Sequence, residues 1–279
     1  MRAKQKISAL MKLRYDPYQV FRFSKTPAGL YARQKWLGEA KTTQWKIDFK
    51  QAVAKLLADQ LPDGSWHNAT IETIHHLFGL HLTVRSSTAQ IDAALTWLLE
   101  KIAFQAEEIH ARDEDVTIAV SLEGLPFILS LPAMFLTGAT LFLSTIFDRE
   151  SDPEVLALYQ WLSTEGTKNK GQWFDEASSH NIFRAMIVHP VFAKDKATVL
   201  AAEHLADLQT DAGGWDNDLL FYQTLNALSH LDLHQVDTQL EKAFGLLLEK
   251  QNSDGTWSQS EPEWNTFLAI HALKNKGLL

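Results

Sequence analysis

A chain of 279 residues with 46% hydrophobic content is long enough to bury one sizeable core. It contains no cysteine, which excludes a disulfide framework and thiolate zinc chemistry and makes a reducing, cytoplasmic compartment the expectation. The net charge of −8 is uneven, because residues 1–40 carry nine Lys/Arg against Asp16 and Glu39 and so set a basic arm before an acidic body. That arm is expected to fold back on the body, with anionic lipid as the other option and no nucleic-acid partner.

In chain order, Met1-Arg2-Ala3-Lys4-Gln5-Lys6 leads into Ile7-Ser8-Ala9-Leu10-Met11, an apolar run too short for a signal peptide. Residues 1–43 read as a basic strap lying along the body, broken by Pro17 and Pro27 and anchored by aromatics such as Tyr15, Tyr31 and Trp36. From 44 to 60 the positions of Ile47, Phe49, Val53, Leu56 and Leu57 predict a helix, ended at Pro62-Asp63-Gly64, and a second helix follows over 68–84. The next hairpin pairs a helix over 91–104 with one beginning near Asp113. Residues 124–147 hold no charge and are interrupted by Pro126 and Pro132. They predict the end of one buried helix, a turn and a second helix over 134–146, with a membrane patch or a span as alternatives. Three more hairpins are centred on Trp173, Trp215 and Trp257.

Those three Trp recur at 42-residue intervals, and the Gln-to-Gly-x-Trp turn is complete at Gln60 to Trp66, Gln209 to Trp215 and Gln251 to Trp257. Fixed-period self-similarity of this kind predicts an all-α array of helical hairpins. Aligning the second helices places Thr73, Thr117, Asn181, Thr224 and Thr266 in matching positions. Stepping along the same face then brings up His75, Phe78, Phe183, Tyr222, Trp264 and His271. A face that mixes aromatics with polar groups is expected to line a cavity rather than a core.

The turns resemble the QW repeats of squalene-hopene and oxidosqualene cyclases, and more widely the toroids of terpenoid cyclases and protein prenyltransferases, over residues 45–279. The resemblance implies an (α/α) toroid of about five to six hairpins over 44–279, with outer helices first and inner helices second. It makes the Gln and Trp of each turn scaffold. It also implies a proton donor, because Asp113-Glu114-Asp115-Val116-Thr117 is similar to the Asp-rich motif of class II cyclases, with Val116 departing from it. Asp115 is then the candidate acid, with Asp113 beside it and Thr117 at the matching position. Mutual repulsion and burial would keep one carboxyl protonated. The same acidic run also suits a helix start, with Asp113 as cap.

The expected ligand is a polyprenyl or isoprenoid molecule held among Phe78, Phe183, Tyr222 and Trp264, with His75, His180 and His271 bonding to an inner acid or to one another. No cofactor or metal is expected. Two other readings stay open: a non-catalytic toroid that binds an isoprenoid or a protein, and a carbohydrate-active toroid pairing Asp115 with Asp216, Asp218 or Glu263. Triterpene cyclases use two toroids and this chain has residues for one, so a homo-oligomer or a second-toroid partner is a further expectation, as is peripheral membrane contact.

Overall fold

The turns behave as stitches. In each complete turn the Gln side-chain amide donates twice, once across its own turn and once to the element that follows. Gln60 reaches Gly64 O and Gln90 O, both at 2.8 Å. Gln209 reaches Gly213 O at 3.1 Å and Gln239 O at 2.9 Å. The indole N–H of each turn Trp donates backwards to a carbonyl of the preceding helix, at 2.8–3.0 Å: Ala58, Leu205 and Leu247 at the helix end, and Leu162 further in. At the three helix ends, carbonyls left without intrahelical partners are satisfied in this way.

The computed structural model describes residues 13–106, 122–215 and 219–279. Eleven α-helices lie among them: α1 (Pro27–Lys35), α2 (Thr43–Leu57), α3 (Thr70–Thr83), α4 (Ala89–Ala106), α5 (Pro132–Ile146), α6 (Pro153–Lys168), α7 (Glu176–Val188), α8 (Lys196–Asp207), α9 (Phe221–Ser229), α10 (His234–Glu249) and α11 (Pro262–Asn275). Helices α1, α3, α5, α7, α9 and α11 each pack on the next, and α11 packs on α1, so six helices close an inner ring. Helices α2, α4, α6, α8 and α10 stand outside it. The chain is an all-α toroid.

One placement differs from the sequence expectation. Helix α1 is not part of a strap on the outside but a member of the inner ring. Pro27 starts it rather than breaking it, because proline fits the first helical turn, and Thr26 caps it by accepting the Gly29 N–H at 2.9 Å. Arg33 then bonds α1 outward to Asp48 of α2 at 2.9 Å and to Glu39 at 2.7 Å, all but out of solvent. Helix α5, the apolar stretch after Pro132, packs on α4 and is buried on every side from Met134 to Thr145, while the helix expected to begin near Asp113 lies outside the described residues. It lies so close to α7 that a Cβ on Gly138 would meet the Asn181 carbonyl at 2.8 Å. Among the described residues no helix is long and apolar enough to cross a membrane.

The ring is closed by its last turn. Gln251 bonds the N-terminal segment where Gln60 and Gln209 bond the helix after their turns. Its Oε1 accepts from Arg14 N–H at 3.0 Å and Tyr15 N–H at 3.2 Å, while Nε2 donates to Tyr15 O at 3.1 Å. Gly255 sits at φ +88° with its missing Cβ only 2.1 Å from the Asp16 carbonyl, so a side chain there meets backbone as well as a disfavoured φ. Gly245, in the exposed middle of α10, has open space around it. Urea denaturation is expected to show Gly255→Ala losing more than about 2 kcal/mol. Gly245→Ala is expected to gain about 0.5–1 kcal/mol from helix propensity alone.

Candidate functional site: the axial chamber

Where the six inner helices meet around the axis they enclose a chamber of about 260 Å³, and every one of them contributes to its wall. A wider mouth of about 460 Å³ adjoins it and shares Phe78, Leu82 and Trp264. The walls are aromatic. Phe78 meets Trp264 edge-on at 5.8 Å and Phe142 at 6.2 Å. Trp264 stacks on Phe267 at 5.3 Å, and Phe267 meets Tyr31 of α1 edge-on at 5.3 Å. The Trp264 indole is fixed by donating to Leu125 O at 3.1 Å. Aromatic rings held this way present apolar bodies and negative faces to whatever fills the space.

The polar part of the wall is basic. Arg184 on α7 donates to Asn226 Oδ1 at 3.1 Å and to Gln223 O at 2.6 Å. Asn226 in turn faces His271 Nδ1 at 3.3 Å, so one polar chain crosses α7, α9 and α11. Arg85, just beyond α3, lies over the Tyr31 ring at 4.3 Å. Burial lowers Arg184 to about 9, which leaves it charged at neutral pH. Burial lowers the chamber histidines too, with the arginines and the other histidines adding to the effect: His81 to about 3, His271 to about 4, and His230 well below its usual value. At neutral pH the chamber therefore holds cationic arginines beside uncharged imidazoles.

The residues expected from the sequence divide among several places. Phe78, Trp264 and His271 are brought together on the chamber wall, and His75 lines the mouth. His180 and Phe183 are not brought there; they face the space between α7 and α8, beside Glu176 and His204. Tyr222 is half-buried against Phe221 at 5.2 Å, away from the chamber. Asp113, Asp115 and Thr117, together with Asp216 and Asp218, lie outside the described residues. Glu263, the remaining carboxylate of the carbohydrate reading, ties α11 to the segment before α1 by accepting from the Ser24 hydroxyl at 2.9 Å and from the Thr26 hydroxyl.

The misplacement on α7 has one cause. The matching position is defined by a hydroxyl that accepts the backbone N–H of the turn Trp: Thr73 for Trp66 at 3.1 Å and Thr266 for Trp257 at 3.0 Å. For Trp173 that acceptor is Ser179 at 2.7 Å, two residues before Asn181. Asn181 instead holds the Ile128 backbone, accepting at 2.9 Å and donating at 2.7 Å. With the register corrected by two, the step that gives Phe78 on α3 and His271 on α11 gives Arg184 on α7. A lone charge in the otherwise apolar run Ile182-Phe183-Arg184-Ala185-Met186-Ile187 was the available signal for it.

A six-membered inner ring around an aromatic, basic chamber defines the architectural class, an (α/α) toroid with an axial cavity. No family's sequence model matches the chain, and no curated protein matches it. Among solved structures it is similar to the apo form of the type II terpene cyclase MstE from Scytonema, at 12% identity with a TM-score of 0.58 over 100% of both chains. At that identity the likeness establishes the fold, a terpene-cyclase-like toroid. It extends over the whole of each chain.

The histidines set an acid limit on stability. Their folded values lie below the usual value near 6.5, so above pH 6.5 both folded and unfolded chains hold them neutral and stability is full. Below that, the unfolded chain takes up protons that the folded one excludes, and stability falls until the folded values are reached near 4 and 3. Unfolding free energy measured from pH 7 to 4.5 is expected to decrease, and His81→Leu to remove at most about 1.4 kcal/mol per pH unit of that slope. An unchanged slope in this variant would show that His81 titrates normally.

Proposed function

We propose that this protein binds a polyprenyl substrate in the axial chamber and cyclises it by protonation, as a class II terpenoid cyclase does. The observation that carries the reading is one axial chamber walled by rings from α1, α3, α5 and α11 and adjoined by a mouth of about 460 Å³. The likeness to a type II terpene cyclase along the full chain supports it, and the repeated Gln-to-Trp turns agree with it. In this account the carboxyl of Asp115, with Asp113 beside it, gives its proton to an alkene carbon or to an epoxide oxygen, whose C–O bond then opens. The π electrons of the prenyl chain then close rings as the positive charge passes along it, until loss of a proton or capture of water ends the cascade. Ring faces such as those of Phe78, Phe142 and Trp264 stabilise a passing cation by about 0.5–2 kcal/mol each. The tight inner walls impose the folded chain conformation and exclude water, which would otherwise quench the cation early.

Incubation with farnesol- and geranylgeraniol-type substrates and their epoxides, followed by mass spectrometry of extracted products, tests the proposal. Cyclised product is expected from the native chain, and Asp115→Asn is expected to lower its rate at least about 100-fold, the usual scale for loss of a positioned acid. The same variant should still bind the substrate. Turnover unaffected by Asp115→Asn would exclude this residue as the donor.

A further inference from the structure

Helix α2 stands apart in charge from the rest of the outer ring. It carries Lys46, Lys50 and Lys55 against one acid, whereas α4, α6, α8 and α10 each carry more Asp and Glu than Lys and Arg. That acid, Asp48, is buried and bonded inward, to Arg33 at 2.9 Å and to Lys25 at 3.3 Å. The three lysines are exposed. The helix that displays them is firmly seated: Thr42 caps it by accepting the Trp45 N–H at 3.2 Å, and the Trp45 indole donates to Leu30 O of α1 at 3.1 Å. At 3.6 residues per turn, Ile47 and Ala54 fall on one line along the outer face, with Lys46 and Lys50 to one side of it and Lys55 to the other. Both members of that line are exposed, Ile47 over 46% of its surface. In a protein of net charge −8 the outer face of α2 is thus a basic strip with a small apolar ridge, and none of its residues lines the chamber or the mouth.

We propose that the outer face of α2 docks on a bilayer surface rich in anionic lipid, with Ile47 and Ala54 against the headgroup layer and the lysine ammonium groups among the phosphates. Lysine suits this partner. Its ammonium is a point charge on a flexible apolar stem, able to follow headgroups that move, whereas the fixed carboxylates of a folded protein are matched better by guanidinium forks. Helix α2 has no arginine. The excess of acid on the other outer helices is repelled by the same surface, so the asymmetry also orients the toroid with α2 toward the lipid. The proposal is separate from the reading of the chamber and holds for any ligand that fills it.

The test is co-sedimentation of the full chain with vesicles of phosphatidylcholine alone and of phosphatidylcholine with phosphatidylserine. Binding to the serine-containing vesicles only, lost at about 1 M salt, is the expected result. Combined replacement Lys46→Gln, Lys50→Gln and Lys55→Gln is expected to lower the partition coefficient at least about tenfold at an unchanged melting temperature. Because the chain has no cysteine, Ala54→Cys can be labelled at one place with an environment-sensitive dye, and Glu203→Cys on the outer helix α8 serves as the control. Emission should shift to the blue on vesicle binding for the label at position 54 and stay constant for that at 203. Equal binding to both kinds of vesicle, or no binding to either, overturns the proposal. Binding undiminished by the triple replacement also overturns it and assigns the contact to other basic residues of the chain. Retention on immobilised polyglutamate without vesicle binding would assign the face to an acidic protein and overturn the choice of lipid.

Discussion

Everything in this toroid depends on how each turn is tied to the element after it. A ring of helices has no natural end, and its inner members bury their faces only if the last is joined to the first. The Gln side chain solves the local problem by capping its own turn and reaching one carbonyl further on. At the fifth turn the same side chain takes Arg14 and Tyr15 as its partners, and a local device becomes the closure of the ring. The absence of a Cβ at Gly255 permits that approach. With α1 brought in beside α11 and α3, Tyr31 reaches the axis and the chamber has a complete wall.

The chamber combines two features that oppose each other. Its rings suit a positive charge, while Arg85 and Arg184 repel one. At a separation of about 8 Å and an effective dielectric of about 20, each arginine would raise a carbocation by about 2 kcal/mol, enough to cancel one good ring face. The depressed histidines fit the same logic, since protonated imidazoles would add to the repulsion.

Much of the architecture was legible in the sequence. The 42-residue spacing of Trp173, Trp215 and Trp257 marked the hairpins, and the uncharged stretch after Pro132 read as a buried helix because no face of it is polar. Register within the hairpins was harder to read. The hydroxyl that receives the Trp N–H lies seven residues on from Trp66, six from Trp173 and nine from Trp257, so no constant offset finds it. That variation set the comparison on α7 two residues late, so that the step giving Phe78 and His271 reached Met186 instead of Arg184. Helix α1 was missed because Pro27 has two meanings, breaker within a helix and starter at its first turn, and only the Thr26 cap decides between them. His81 and Arg85 belong to the chamber through the far end of α3, beyond the span over which the repeats could be compared.

The central claim is that the aromatic chamber on the toroid axis receives an isoprenoid. Val188 lines that space from the end of α7 and is only partly buried, so Val188→Trp fills the chamber without disturbing the ring. The decisive measurement is calorimetric binding of farnesol and geranylgeraniol to the native chain and to this plugged variant, with the melting temperature followed in parallel. The account predicts one-to-one binding that is lost in Val188→Trp at an unchanged melting temperature. Equal binding by the two proteins would contradict it and place the ligand elsewhere on the molecule.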